Sequence, residues 1–190
     1  MSVASLVRYA SLPAQPWKNG KGVSRTLFSD SDTQGAWTWK VSVAEISQPQ
    51  PYSQYPEIRR IQVALGPGAI DLTISGHQRR LHTGEHVAFD GDEEVTVIPR
   101  SPGFLALNLM FLGDRWDAHV EALSGTSHIS TGSEINILVA LDEDCTTDDE
   151  KLSRLDSYLI PSHARVDVRG SFHLLTFTPL GETHHQSTAL

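Results

Sequence analysis

The chain has 190 residues, 39% hydrophobic and 20% charged, with a single cysteine, a composition that excludes a disordered chain, a collagen and a disulfide-stapled scaffold. With 15 Lys+Arg against 23 Asp+Glu the net charge is −8, which disfavours non-specific binding to phosphate backbones or anionic lipid and points to small-molecule or protein partners. The length suits one large domain or two small, closely packed ones.

In chain order, residues 1–8 do not read as a signal peptide, because Arg8 follows a very short apolar stretch instead of preceding a long one. Residues 37–43 alternate strictly, Trp37, Trp39, Val41 and Val43 on one face and Thr38, Lys40 and Ser42 on the other, which predicts a half-buried strand. Residues 61–65 and 70–74 repeat the pattern on either side of Gly66-Pro67-Gly68, predicting a hairpin of two antiparallel strands. The segment 75–86, with two glycines and Arg79-Arg80, reads as a polar loop. Short β-rich runs follow at 87–89, 95–98, 104–112, 119–123, 135–141, 158–160, 165–168 and 172–178. Turn signals spaced by roughly 8–12 residues predict an all-β sandwich or barrel with little helix. The best helix candidate is 147–155, where Asp148, Asp149 and Glu150 suit the positive end of a helix dipole; the alternative there is an irregular loop. The longest apolar stretch, 104–112, is broken by Asn108 and falls far short of the ~20 residues that span a bilayer. A cytoplasmic protein is expected, in keeping with the lone Cys145.

Charge is segregated: residues 1–60 hold seven Lys+Arg against four Asp+Glu, whereas 61–190 hold eight against nineteen. Six carboxylates fall in 142–150, which reads as a solvated acidic loop, without the Gly and terminal Glu of an EF-hand. His77, His82 and His86 form the one histidine cluster in the β-rich part. Same-side ligands on a strand sit at i and i+2, and no His-x-His occurs, so these histidines are expected to face solvent and no metal site is expected. His184-His185 reads as uninvolved tail. Cys145 sits among Asp142, Glu143, Asp144 and Asp148, a poor setting for a thiolate nucleophile, and no Gly-x-Ser-x-Gly, Gly-x-Gly-x-x-Gly or Walker loop is present. In the segment 16–22, Trp17 precedes Asn19-Gly20, an aromatic anchor beside a backbone free to turn, or simply a packed Trp before a turn. Arg60 is either a surface charge or a planar fork for a carboxylate.

Five blocks in order resemble the HutD/Ves family, bacterial proteins associated with histidine utilisation or stress response. They are Pro16-Trp17-Lys18-Asn19-Gly20-Lys21-Gly22, Trp39-Lys40-Val41-Ser42-Val43-Ala44, Tyr52-Ser53-Gln54-Tyr55-Pro56-Glu57-Ile58-Arg59-Arg60, Phe89-Asp90-Gly91-Asp92 and Leu107-Asn108-Leu109-Met110. The chain departs from the family pattern at Lys21 and Glu57, where glycine is usual, and at Tyr52 and Tyr55, which replace a phenylalanine pair. The resemblance implies a cupin-like double β-barrel, a bicupin, with one module in 1–115 and a second in 116–190. It implies a metal-free pocket without a cofactor, since the cupin His-x-His is missing, that binds a small anionic metabolite. Urocanate and N-formylglutamate are the candidates, in a regulatory role linked to histidine utilisation. Carried over block by block, it gives Arg60 as carboxylate clamp, Asn19, Ser42 and Asn108 as orienting groups, and Trp17 or Trp39 as apolar wall. Asp90 reads as a structural Asp-Gly turn residue and Met110 as core.

Two other functions compete. One is an enzyme, either a metal-dependent cupin isomerase or oxygenase using His77, His82 or His86, or a metal-free acid/base catalyst using Glu45 or Asp90. The other is a protein-interaction module whose acidic 142–150 segment contacts a basic partner. No catalytic residue is assigned, and sequence leaves the oligomeric state open.

Overall fold

The computed structural model describes residues 5–17, 22–31, 34–148 and 150–181. Apart from one 3₁₀ turn at Tyr9–Ser11, its regular structure is β. In chain order the strands of the first half are β1 (Ser5–Val7), β2 (Gln15–Pro16), β3 (Gly22–Ser29), β4 (Trp39–Ile46), β5 (Gln50–Pro51), β6 (Ile58–Gly66), β7 (Ala69–Ile74), β8 (His77–His82), β9 (His86–Asp90), β10 (Val95–Pro99) and β11 (Phe104–Leu112). Those that follow are β12 (Trp116–Leu123), β13 (Thr126–Ser130), β14 (Ile135–Ala140), β15 (Cys145–Thr147), β16 (Glu150–Leu152), β17 (Ser157–Ile160), β18 (Arg165–Arg169) and β19 (Phe172–Pro179). Among the described residues no helix is long and apolar enough to cross a membrane.

The strands form four antiparallel sheets, stacked in the order I, II, III, IV. Sheet I is β5-β10-β7-β8, sheet II β2-β3-β4-β11-β6-β9, sheet III β1-β17-β14-β19-β12 and sheet IV β13-β18-β15-β16. Three cores fill the spaces between them. Ile46, Ala64, Ile70, Leu72, Phe104 and Ala106 lie between I and II. Val41, Val43, Val63, Leu109, Val139 and Phe177 lie between II and III. Leu138, Cys145, Leu152, Val168 and Phe172 lie between III and IV. The alternation of side chains along a strand explains how sheets II and III serve two cores at once: odd-numbered residues of β4, β6 and β11 face sheet III, and even-numbered ones face sheet I. All four sheets are open, each ending in two edge strands, so the all-β expectation holds while closed barrels are not what the structure displays.

Three local expectations are corrected. Gly66-Pro67-Gly68 does not close a hairpin, because β6 belongs to sheet II and β7 to sheet I; the turn is a corner between layers. The segment 75–86 is not a loop: β8 pairs along its whole length with β7, from Ala69 opposite His82 to Ile74 opposite His77, although its histidines are exposed as expected. At 147–155 no helix forms among the described residues, and the loop alternative holds only for 153–155. Cys145–Thr147 and Glu150–Leu152 pair as a hairpin, with Cys145 and Leu152 buried in the third core, a burial that outweighs the local preference of the acidic run.

Candidate functional site

The interior between sheets I and II is not wholly apolar. Strands β4, β11 and β6 run side by side, and their register places Ser42, Asn108 and Gln62 in one row across the sheet, with Lys40, Met110 and Arg60 in the next. With neighbouring strands ~4.8 Å apart, each row spans roughly 10 Å. All six are even-numbered and face sheet I. Arg60 is 8% exposed, Gln62 0%, and Ser42 and Asn108 are buried beside them.

Arg60 sits between two aromatic rings. Its guanidinium carbon lies 4.8 Å from the Tyr52 ring centroid and 5.0 Å from that of Phe89, which is its register partner on β9. Such contacts are worth about 0.5–2 kcal/mol, the more so when desolvated. Its one side-chain hydrogen bond is long: Nη2 donates to Asn108 Oδ1 at 3.4 Å, and Nε has no partner. Among the described residues no carboxylate pairs with it. Burial accordingly pulls the guanidinium below its ordinary value, partly countered by Tyr52 and Tyr55. An arginine stays ionised even so, and the site therefore holds an uncompensated buried cation. Around it lie further buried polar atoms without a well-formed hydrogen bond, both amide atoms of Gln62 and the Tyr52 hydroxyl, the two side chains being close enough for Gln62 to favour the ionised form of Tyr52. Burial pushes the Tyr52 hydroxyl up to about 12, keeping it a neutral donor. Lys40 is half-buried on the same face, and burial lowers it from its ordinary value.

Backbone contacts hold Tyr52 over the guanidinium. Tyr52 N–H donates to Val95 O at 2.8 Å and Tyr55 N–H to Gly91 O at 2.7 Å, while Gly91 N–H donates to Ile58 O at 2.6 Å. A Cβ at residue 91 would meet Tyr55 O at 2.3 Å, so only glycine admits this approach. Trp17 stands one layer further out, its ring edge-on to Tyr52 at 6.4 Å.

The outward face of sheet I supplies a contrast. There Arg80 Nε and Nη2 donate to the two oxygens of Asp71 at 2.6 and 2.9 Å, and Arg100 Nε donates to the same carboxylate at 2.8 Å. Arg80 and Arg100 on this outer face are paired with a carboxylate, and the buried Arg60 is not.

Of the residues predicted from sequence, Arg60, Ser42 and Asn108 come together, with Trp17 beside them through Tyr52. Trp39 does not join them. It is three residues from Ser42 on one strand and so points to the opposite face, where it packs on Phe177 at 5.2 Å between sheets II and III. Asn19 lies outside the described residues. Asp90 is exposed, its carboxylate 3.6 Å from Arg59, and Met110 is buried between Lys40 and Arg60. Sequence reasoning missed Gln62, Tyr52 and Phe89 as members. The signal was present in Arg60-x-Gln62, an i, i+2 pair that must share a face.

A metal does not suit this interior. Its donors are a guanidinium, two amides and hydroxyls, whereas divalent transition metals take imidazole, thiolate or carboxylate. Among the described residues no three His, Cys, Asp or Glu converge.

A comparison with protein families decides the kinship: the HutD family model matches residues 9–176. The chain belongs to the HutD family. It is 27% identical over 142 residues to an uncharacterised 21.2 kDa protein encoded in the hutC 3′ region of Pseudomonas putida, covering 74% of this chain and 75% of that one. It is 25% identical over 117 residues to protein Ves of Citrobacter koseri, covering 60% and 61%. Among solved structures, HutD of Pseudomonas fluorescens SBW25, determined in a formate condition, superposes with a TM-score of 0.86 at 22% identity, over 94% of this chain and all of that one. The nickel(II) complex of the pirin YhhW from Escherichia coli superposes with a TM-score of 0.69 at 12% identity, over 93% and 99%. These likenesses give the HutD-family chain a cupin-like fold, and the Pseudomonas putida relative lies in a hutC gene region.

Proposed function

We propose that this HutD-family protein binds a small metabolite carboxylate at Arg60, in the half formed within residues 1–115 of a bicupin, without a metal, and that it serves a regulatory role linked to histidine utilisation in the cytoplasm. The observation that carries the reading is the buried, carboxylate-free Arg60 guanidinium, flanked by Tyr52 and Phe89. A planar fork with an unpartnered Nε is built for bidentate capture of a planar anion. Asn108, bonded to the guanidinium, and Gln62, Ser42 and the Tyr52 hydroxyl on the same interior supply the donors and acceptors that would orient the rest of the ligand. A charge-assisted hydrogen bond there contributes ~1.5–3 kcal/mol. The gene region of the Pseudomonas putida relative makes urocanate and N-formylglutamate the first ligands to try.

Thermal unfolding of chelator-treated protein against histidine-pathway metabolites tests the reading. A ligand at ~100 times its dissociation constant adds ~2.7 kcal/mol, a rise of roughly 5–10 °C at this size. The rise is expected with a carboxylate metabolite, is expected to vanish in Arg60→Met, and is expected to be the same with and without divalent metals. A shift by metals alone, or none by any pathway anion, overturns it.

A further inference from the structure

On β19, side-chain alternation turns Phe172 and Leu174 toward sheet IV, and His173, Leu175 and Phe177 toward sheet II. His173 is 2% exposed, yet neither Nδ1 nor Nε2 has a hydrogen-bond partner. Buried polar groups are nearly always paired, so an imidazole with both nitrogens idle calls for an explanation. Its lateral neighbours in sheet III are Ala122 and Val139, which offer nothing to bond. At the rim of the seam β9 carries the exposed His86, whose parity along the strand is opposite to that of Val87 and Phe89, so that it lies on the sheet III side.

The charged groups on the surrounding elements leave a proton on His173 without compensation. On β9 and the turn before it, His86 adds only positive charge when protonated, and the Glu85 carboxylate is engaged by the His82 N–H at 2.8 Å. In the loop before β17, Arg154 Nη2 donates to Leu65 O at 3.1 Å, a further cation at this seam. Asp156 of the same loop is already held by Arg8 at 2.8 Å and by the Tyr9 N–H at 2.9 Å. On β12, Glu121 pairs with Leu174 and shares its orientation toward sheet IV. The seam thus accepts a neutral imidazole and opposes an imidazolium.

We propose that the seam between sheets II and III is an acid-sensitive latch, with His173 as its trigger and His86 as the charge that opposes it. Burial and His86 both lower the His173 pKa from its ordinary value, so the folded state binds fewer protons than the unfolded one. The latch is therefore closed above the unfolded histidine value of ~6.5, and each pH unit below it favours the open state by up to about tenfold. The strand that loosens is β19, which carries His173, with His86 at the start of β9 as the neighbour whose charge acts on it. β9 also carries Phe89, so opening the seam disturbs the Arg60 site from behind. The latch itself does not depend on any ligand at that site.

Hydrogen exchange of the unliganded full chain at pH 7.5 and 5.5, corrected for the intrinsic pH dependence, is the test. In the wild type, amides of β12 and β19 are expected to exchange about tenfold faster at the lower pH. In His173→Phe the acceleration is expected to be lost, and in His86→Gln to be reduced. Should His173→Phe not fold, the ring titration of His173 in the wild type by NMR decides the same question. Acceleration that persists in His173→Phe, none in the wild type, or a ring that titrates at or above ~6.5 overturns the latch.

Discussion

The two halves pair a large and a small sheet in the same way and fill the space between them differently. Between sheets III and IV the interior is Leu138, Ala140, Cys145, Leu152, Val168 and Phe172, and the buried amide of that half, Asn136, is served: Oδ1 accepts from Thr176 Oγ1 at 2.9 Å and Nδ2 donates to Glu134 Oε1 at 3.2 Å. Apart from the Thr147 hydroxyl, no described residue of that half leaves a buried side-chain orphan facing sheet IV. Between sheets I and II the equivalent space holds Arg60 and Gln62 with their groups unspent. One half is closed as an apolar core, and the other keeps a buried cation and an amide without a formed hydrogen bond.

The sharpest way to break this contrast is Arg60→Met. Removing an uncompensated buried cation is expected to stabilise the unliganded protein by about 1–4 kcal/mol while abolishing the anion response. A loss of stability in urea unfolding would mean that the two rings already satisfy the charge. A matched pair of substitutions sharpens it further. Gln62→Met removes orphans, and Asn136→Leu strands Thr176 and Glu134, so their effects on unfolding free energy are expected to differ in sign, each by about 1–3 kcal/mol. Next comes Glu57, which adopts φ 68° between the two segments that clamp Tyr52. Glu57→Gly is expected to add about 1 kcal/mol, read as a higher melting temperature, by relieving a left-handed backbone that L-residues resist. The smallest effect belongs to the outer face, where Arg80 and Arg100 hold the Asp71 carboxylate well below the usual range. Its contribution is present above the unfolded carboxylate value of ~4 and is lost as pH falls below it. The pair is half in solvent, so Asp71→Asn is expected to reduce stability by less than about 1 kcal/mol, and less still in high salt.

Much of this was legible in the sequence. Alternation located β4, β6 and β7 to within a few residues, β-rich composition located β11, and the motif blocks named Arg60, Ser42 and Asn108, which lie on one face of sheet II. Alternation says that a strand has two chemically distinct faces; it does not say that the polar one meets water. In residues 61–65, Gln62 reads as the solvent side of a half-buried strand, yet sheet II is covered on both faces and Gln62 is fully buried. The resemblance placed Trp39 and Ser42 in one site, although alternation already set them on opposite sides of the strand. Strands such as β8, with the sequence His-Gln-Arg-Arg-Leu-His, have no apolar face beyond Leu81 to announce them. Their pairing is a property of β7 alongside.

The first strand has a schedule as well as a position. β1 does not pair with the strands that follow it but with β17, Ser5 opposite Leu159, and Arg8 and Tyr9 then fasten to Asp156. At a synthesis rate of ~5–20 residues per second, Ser5–Val7 are made roughly eight to thirty seconds before their partner exists. Sheets I and II can close on each other in that interval, whereas the edge of sheet III must wait for β17. An early-made strand is thus fitted late, and the fold is fastened as a belt is, by drawing Ser5–Val7 back to a segment made long after them.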